Sequence, residues 1–284
     1  MDLTSPAVIK ELRSRFDFYF KKGLGQNFLT SRTVLEEIAD AADCSNGVLE
    51  IGPGFGVLTQ ELALRAPKVV SLEIDSRLIP VLDYTLAEFD HIKIIQADAM
   101  KADLDQLIRD EFPDRKISVA ANLPYYITTP ILTRLLESKL PIRHIVVMIQ
   151  KEVAERICAA PGTKEYGAIS VLCQYYTKPE LICRVPASLF IPPPKVDSAV
   201  LKMTVLDSPS VSAADETLFF RIVRAAFAQR RKTLLNCLCA GFGQLGKNTL
   251  EATLSQCGID PRRRGETLSL SEFASLTDAV QQLL

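Results

Sequence analysis

Asn122, Leu123, Pro124 and Tyr125, within "ANLPYYITTP", follow the apolar run "ISVA". Proline has no N–H to give to a ladder, so a strand entering this tetrapeptide ends there. An amide, a rigid bend and an aromatic face then stand at the strand's exposed carboxyl end. Upstream, "LEIGPGFG" sets Gly52, Gly54 and Gly56 between an apolar run and an amphipathic one. Glycines there let the backbone turn tightly and approach a ligand, while the helix that follows offers unpaired N–H groups. Glu73 lies near the end of "KVVSLEI", 21 residues after Gly52, and Asp98 lies in "IIQADAM". An acid at the second strand end accepts hydrogen bonds from ribose hydroxyls. Each feature alone has a plainer explanation: a tight turn, a helix N-cap, or an Asn–Pro turn with aromatic packing. Together, at corresponding strand ends, they favour an adenosine-type ligand, with ribose on Glu73 and the adenine amino group on Asp98. Val57 stands where the dinucleotide fingerprint needs Gly or Ala, which counts against an NAD-dependent oxidoreductase.

The elements that must position these residues alternate along the chain. "GVLEI", "KVVSLEI", "IKIIQA", "KISVAA" and "HIVVMI" read as strands, separated by helices in "GVLTQELALR", "SRLIPVLDYTLAEF", "LDQLIRDEF" and "TPILTRLLES". That alternation predicts an α/β fold with a mostly parallel sheet covered on both faces, binding its ligand beyond the carboxyl ends of the strands. Ahead of it, "SRTVLEEIADAA" predicts a helix capped by Ser31. Behind it, "AISVLCQYYTKPELICRV" and "SAVLKMTVL" predict further strands around the proline-rich "VPASLFIPPPKVD". After "DSPSVSA", 207 to 213, helical patterns run to Leu284. The expected division is therefore residues 1–207, a ligand-binding domain with an N-terminal helical extension, and 208–284, a small all-helical domain.

Composition removes several function classes. With 284 residues, 48% of them hydrophobic, a full core is easily buried, and no uncharged apolar run reaches the length of a membrane span. "MDLTSPAVIKELRSRF" lacks the apolar stretch of a secretory signal, and Asp2, Glu11 and Asp17 argue against a transit peptide, so the cytoplasm is expected. Seven scattered cysteines without a C-x-x-C pair, and only His91 and His144 as co-ligands, point to neither a zinc site nor a disulfide framework, and no metal is expected. Neither histidine has a G-x-S-x-G sequence nearby, which counts against covalent hydrolase chemistry. The formal net charge is −1, yet basic residues cluster at Lys10, Arg13, Arg15, Lys21, Lys22 and Arg32, in "QRRK" (229 to 232) and in "RRR" (262 to 264). Singly these are solvated faces; together they suit a surface that tracks nucleic-acid phosphates. No coiled-coil pattern is present, and a monomer is expected.

The Gly, Glu and Asp pattern resembles the class I methyltransferases that use S-adenosylmethionine (SAM). Beside a SAM methyl group, the tetrapeptide acquires a purpose. The N6 amine of adenine is a poor nucleophile because its lone pair is delocalised into the ring. Acceptors on its two protons, from the Asn122 side chain and the Leu123 carbonyl, would hold it and favour a more tetrahedral nitrogen. Pro124 fixes the backbone that carries both acceptors, and Tyr125 offers a face for the base to stack on.

Across nearly its whole length the chain resembles the bacterial small-subunit (16S) ribosomal RNA adenine N6,N6-dimethyltransferases. The motifs that carry the resemblance are "KKGLGQNFL", "EIGPGFGVLT", "LEID", "QADAM", "ANLPYYI", "QKEVAER", "YGAISVL", "FIPPPKVDSAV" and "FAQRRKTL", in that order. The resemblance implies a seven-stranded, Rossmann-like methyltransferase sheet with an all-helical C-terminal domain. It implies SAM in contact with Gln26, Asn27, Leu29, Gly52, Gly54, Glu73, Ile74, Asp98, Ala99 and Asn122. It makes Phe190 a second aromatic wall opposite Tyr125, around a flipped adenine, and completes a catalytic set of Asn122, Leu123, Pro124, Tyr125 and Phe190. It places RNA contacts at Lys21, Lys22, Arg230, Arg231 and Lys232, the last three at the start of a helix. The implied partner is the immature small ribosomal subunit, dimethylated at two adjacent adenines of its 3′-terminal hairpin, with no membrane involved. Two alternatives remain beside it: a macrolide-resistance type methyltransferase of large-subunit RNA, which shares the Asn-x-Pro-Tyr motif, and a non-catalytic ribosome assembly factor on the same fold.

Overall fold

The computed structural model describes residues 1–19 and 25–284. The chain forms two compact units, Met1–Ala154 with Pro179–Val205, and Glu155–Lys178 with Leu206–Leu284. The expected single cut at 207/208 lies close to one crossing point, but the segment 155–178, expected in the first domain, associates with the C-terminal helices instead.

In the first unit, α1 (Pro6–Arg15), β1 (Phe28–Leu29) and α2 (Arg32–Ala42) precede the alternating core. The core then runs β2 (Val48–Ile51), α3 (Val57–Ala63), β3 (Val69–Glu73), α4 (Ile79–Thr85), β4 (Ile92–Gln96), α5 (Leu104–Glu111), β5 (Ile117–Asn122), α6 (Thr128–Glu137) and β6 (Ile142–Gln150). The last of these leads into α7 (Lys151–Ile157). The helix expected over "SRLIPVLDYTLAEF" is shorter than its apolar pattern: a single 3-10 turn over Ser76–Leu78, N-capped by Asp75, precedes α4. Ser31 occupies the N-cap position of α2 but makes no side-chain cap bond.

After α8 (Ala168–Tyr176) the chain forms β7 (Thr177–Val185), β8 (Phe190–Ile191) and β9 (Ser198–Val205). Among the described residues seven strands make one sheet, in the order β4-β3-β2-β5-β6-β9-β7. The pairs from β4 to β6 are parallel, and β6 pairs antiparallel with β9. Every residue of β2 and β3 is buried, as expected for strands covered on both faces, and burying each large aliphatic side chain contributes roughly 1.5–3 kcal/mol. β1 and β8 form a separate antiparallel pair, Leu29 opposite Phe190 and Phe28 opposite Ile191.

Register decides where chemistry can occur. Ile51 of β2 pairs with Leu72 of β3 on one side and with Ala121 of β5 on the other. The residues that follow, Gly52, Glu73 and Asn122, therefore emerge side by side at one edge. β2 is also the point from which successive strands move outward in opposite directions, and the crevice at such a switch point is where open α/β sheets bind ligands.

The second unit is helical: α8 with α9 (Glu216–Phe227), α10 (Leu234–Gly241), α11 (Lys247–Gln256) and α12 (Leu270–Gln281). Residues 168–176, expected as strand, are helix. Their continuous apolar run reads equally well as a buried helix, because periodicity cannot separate the two. Ser170 begins the helix by accepting the Gly167 N–H at 3.0 Å. Tyr175 and Tyr176 of α8 then pack against Phe219 and Phe220 of α9, with ring centroids 4.8–5.7 Å apart. Among the described residues no helix is long and apolar enough to cross a membrane.

Candidate active site

The glycine loop leaves β2 with three left-handed residues, Gly52 (φ 74°), Gly54 (φ 61°) and Gly56 (φ 87°). Gly54 has a second reason to lack a side chain: a Cβ there would stand 2.8 Å from the Phe28 ring. That ring is itself stacked on Phe55, 4.2 Å between centroids. Gly52 differs, since a Cβ built on it would meet nothing within 4 Å. Its bare backbone faces open space that a ligand can fill.

Glu73 is buried and pinned. The Gly54 N–H donates to one carboxylate oxygen (3.3 Å) and the Asp75 N–H to the other (2.8 Å). Burial raises its pKa above the usual carboxylate value, opposed by those two bonds. Asp75 in turn accepts the Gln26 side-chain amide at 3.1 Å and the Arg77 Nε–H at 2.8 Å, and the guanidinium holds its carboxyl below the usual range. Asp98 accepts the Met100 N–H (2.8 Å) and lies 3.8 Å from the Lys101 ammonium. Neither Glu73 nor Asp98 caps a helix, for those positions belong to Asp75 and Asp103.

At the end of β5, Asn122 donates its side-chain N–H to the Asn27 carbonyl (3.2 Å), which turns the amide oxygen away from that contact. Asn27 donates its own amide to the Gly25 carbonyl at 3.1 Å, so the turn is locally braced. The Leu123 N–H pairs with the Met148 carbonyl (3.1 Å), and Pro124 follows at φ −55° before a 3-10 turn, Tyr125–Ile127. The Tyr125 hydroxyl meets Ser198 Oγ at 2.8 Å, and burial raises its pKa, so the phenol stays neutral. Phe190 is buried on β8 opposite Leu29, and Thr30 bonds the Leu189 carbonyl through both its N–H and its hydroxyl, each at 2.8 Å.

These segments enclose a cavity of about 260 Å³. Gln26, Asn27, Leu29, Gly52, Gly54, Glu73, Ile74, Asp98, Ala99, Asn122, Leu123, Pro124, Tyr125 and Phe190 all line it, so the catalytic and cofactor positions expected from the sequence converge on one space. The expected RNA contacts are elsewhere. Lys21 and Lys22 lie outside the described residues. Arg230, Arg231 and Lys232 are exposed in the turn between α9 and α10, not at a helix start, since α10 begins at Leu234 behind its Thr233 cap. Arg230 bonds Glu266 at 3.0 Å and also the Lys164 carbonyl.

Sequence reasoning missed Phe28, Asp75 and Ser198. Asp75 and Ser198 stood inside quoted motifs, "LEID" and "VDSAV", and Phe28 inside "GQNFL". Their partners are distant in sequence, so spacing alone could not single them out.

Glu73 and Asp98 are the carboxylates of the lining, and among the described residues no Lys, Arg or His joins them. His144 lies on β6, 3.3 Å from the Thr204 hydroxyl, and His91 bonds the Ala63 carbonyl at 2.9 Å. The cavity therefore has an acidic rim for hydroxyls and amines, an apolar wall and bare glycine backbone. That donor set fits a cationic adenosine derivative such as SAM.

Comparison with known proteins agrees with this geometry. A family described as ribosomal RNA adenine dimethylase matches residues 17–282. The chain is 52% identical to a ribosomal RNA small subunit methyltransferase A of Geobacillus thermodenitrificans, covering 99% of this chain and 98% of that protein. It is 50% identical to the protein of the same name from Bacillus cereus, covering 98% and 97%. Among solved structures it resembles a dimethyladenosine transferase from Plasmodium falciparum (TM-score 0.76, 27% identity, 88% of this chain and 95% of that one). It also resembles the 23S rRNA methyltransferase ErmE (TM-score 0.68, 27% identity, 90% and 100%).

Proposed function

The chain belongs to the ribosomal RNA adenine dimethylase family, and on that premise we propose that it uses SAM to dimethylate N6 of two adjacent adenines in the 3′-terminal hairpin of small-subunit ribosomal RNA. The observation that carries the reading is the register that pairs Ile51, the end of β2, with Ala121 of β5, so that Gly52 and Asn122 follow side by side. Bound against the glycine loop, SAM supplies an electrophilic methyl group. Glu73, with each oxygen already held by a backbone N–H, keeps lone pairs for the ribose hydroxyls. Asp98 takes the adenine amino group, and Ile74 and Ala99 flank the ring.

The target adenine is flipped from the RNA into the remaining space, between Tyr125 and Phe190. The Asn122 amide oxygen and the Leu123 carbonyl accept its two amino protons, which holds the nitrogen and frees its lone pair along the line of attack. Asn27 matters here because its carbonyl takes the Asn122 N–H and leaves the oxygen as the acceptor. The proton shed after transfer comes from an already alkylated, acidic nitrogen, so a strong base is unnecessary. The position of both histidines outside the cavity lining accords with this.

The partner in this reading is an immature small subunit, met by a monomer in the cytoplasm, with Lys21, Lys22, Arg230, Arg231 and Lys232 on RNA phosphates. The likeness to ErmE supports a second reading, methylation of large-subunit RNA. The 50–52% identity to small-subunit methyltransferases over almost the whole chain favours the first.

The test uses small subunits from a strain lacking this modification. They, and large subunits in a parallel reaction, are incubated with the purified protein and labelled SAM, and the RNA of each is digested to nucleosides. N6,N6-dimethyladenosine at the two adjacent adenines is expected. Label confined to large-subunit RNA would establish the second reading, and subunit binding without label would leave a non-catalytic assembly factor.

A further inference from the structure

Tyr126 is the neighbour of Tyr125, yet it does something different. Tyr125 is drawn inward and tied to Ser198, whereas Tyr126 is 58% exposed at the mouth of the same cavity. The two share one 3-10 turn, whose three residues per turn send successive side chains apart. The Tyr126 ring lies beside Gly25. A Cβ built on Gly25 would stand 3.7 Å from two ring carbons and 3.3 Å from the Pro124 Cβ, and Gly25 has φ 59°. Gly25 thus combines a left-handed backbone with close approach to the ring. The remainder of a large aromatic surface is left facing solvent beside the catalytic cavity.

We propose that Tyr126 is a stacking platform for the nucleotide next to the adenine held in the cavity. This rests on the reading that the substrate is a pair of adjacent adenines in one RNA strand. Drawing one base into a cavity breaks its stacking on the next, and that neighbour is left at the mouth with an apolar face in water. An aromatic ring there restores a stacking partner without reading sequence, which is how proteins hold unpaired bases generally. Because the neighbour is itself a substrate, the platform also retains it between the two rounds of methylation. Exposure suits the role: a ring covered by protein on both faces could not stack on RNA.

The test compares Tyr126→Ala, Tyr126→Leu and Tyr126→Phe for KM toward the small subunit, SAM affinity by calorimetry, and dimethylation at each adenine. Tyr126→Ala is expected to raise KM for the subunit about tenfold or more, in line with the loss of one base–aromatic stack. It should also deplete the second adenine relative to the first, with SAM affinity within about twofold of the parent protein. Tyr126→Phe should rescue both properties and Tyr126→Leu should not. Unchanged KM and unchanged adenine ratio in Tyr126→Ala would overturn the proposal, as would rescue by Leu as complete as by Phe. A loss confined to SAM affinity would also overturn it, making the ring a cover for the cofactor. If the parent protein labels no small-subunit adenine, the functional reading fails and the platform with it. If the parent labels both adenines and Tyr126→Ala matches it, the platform alone is lost.

Discussion

The side-chain amide of Asn122 donates to the main-chain carbonyl of Asn27 across 3.2 Å, joining the end of β5 to the turn that leads into β1. One hydrogen bond therefore sets both the direction of the proposed catalytic oxygen and the position of a segment expected at the cofactor. Asn122→Ala should lower kcat by at least about 100-fold, the scale of losing one preorganised transition-state contact, with a smaller change in SAM affinity. Asn122→Asp loses the same donor and also sets a carboxylate against the Asn27 carbonyl, so it should displace that segment and weaken SAM binding more than Asn122→Ala does. Single-turnover methylation with parallel calorimetry separates the two effects, and full activity in either variant would contradict the role.

Asp75 follows close behind Glu73, and its carboxylate is expected to act through Gln26 and Arg77, which it holds. Glu73→Ala removes the proposed ribose acceptor directly. Asp75→Ala removes the anchor of both Gln26 and Arg77. Hydrogen bonds to a charged group are worth about 1.5–3 kcal/mol, so each variant should raise the SAM dissociation constant roughly ten- to a hundredfold. Gln26→Ala, which leaves the Asp75–Arg77 pair intact, should cost less. Unchanged affinity in Glu73→Ala would refute the ribose assignment, and unchanged affinity in Asp75→Ala would reduce that residue to a turn cap.

Glu50, on β2, is wholly buried, accepts the Thr59 and Ser71 hydroxyls at 2.7 Å each on one oxygen, and has no partner on the other. Burial raises its pKa to about 7 from the ordinary 4.5. The folded state thus keeps a proton that the unfolded chain releases above about pH 4.5. Its contribution is full below that pH and is lost as pH rises through about 7, a span of up to about 3 kcal/mol. Glu50→Gln stays neutral and should flatten the fall in Tm between pH 5 and 8. A Tm profile parallel to that of the parent would show that Glu50 is ionised throughout.

Tyr125 and Ser198 form a pair whose members are separable. Tyr125→Ala should cut turnover about ten- to a hundredfold by removing the stacking face. Ser198→Ala keeps the ring but leaves its part-buried hydroxyl without this partner, costing on the order of 1 kcal/mol of stability and loosening the ring. Adding Tyr125→Phe to Ser198→Ala should recover part of that loss. A double-mutant cycle in chemical denaturation measures the coupling, and strict additivity would argue against the bond.

How much of this was legible beforehand follows from the range over which each residue acts. Gly52, Glu73, Asp98 and Asn122 follow apolar runs, and parallel pairing carries the ends of such runs to one edge. The cavity could therefore be located from spacing. Asp75 and Ser198 act on Gln26 and Tyr125, 49 and 73 residues away, and nothing local distinguishes them from an ordinary turn aspartate and strand serine. Residues 168–176 were misread because a helix apolar around most of its surface has no visible period. The stretch 230–232 was misread because a basic run before an apolar one looks like a helix start, while Thr233 holds the cap.

The pairing of β1 with β8 has a consequence for the order in which the site comes into being. Thr30 and Leu189, beside that pair, are 159 residues apart, and contacts so distant form late because the intervening chain must first be closed into a loop. During synthesis from the N-terminus, the glycine loop, Glu73, Asp98 and Asn122 are all available while the wall bearing Phe190 is still unmade. On the proposed reading, a growing chain can thus assemble the side of the cavity assigned to the cofactor before it has a closed place for a base. Competence to hold both arrives with the small antiparallel ladder that joins the segment around residue 28 to the one around residue 190.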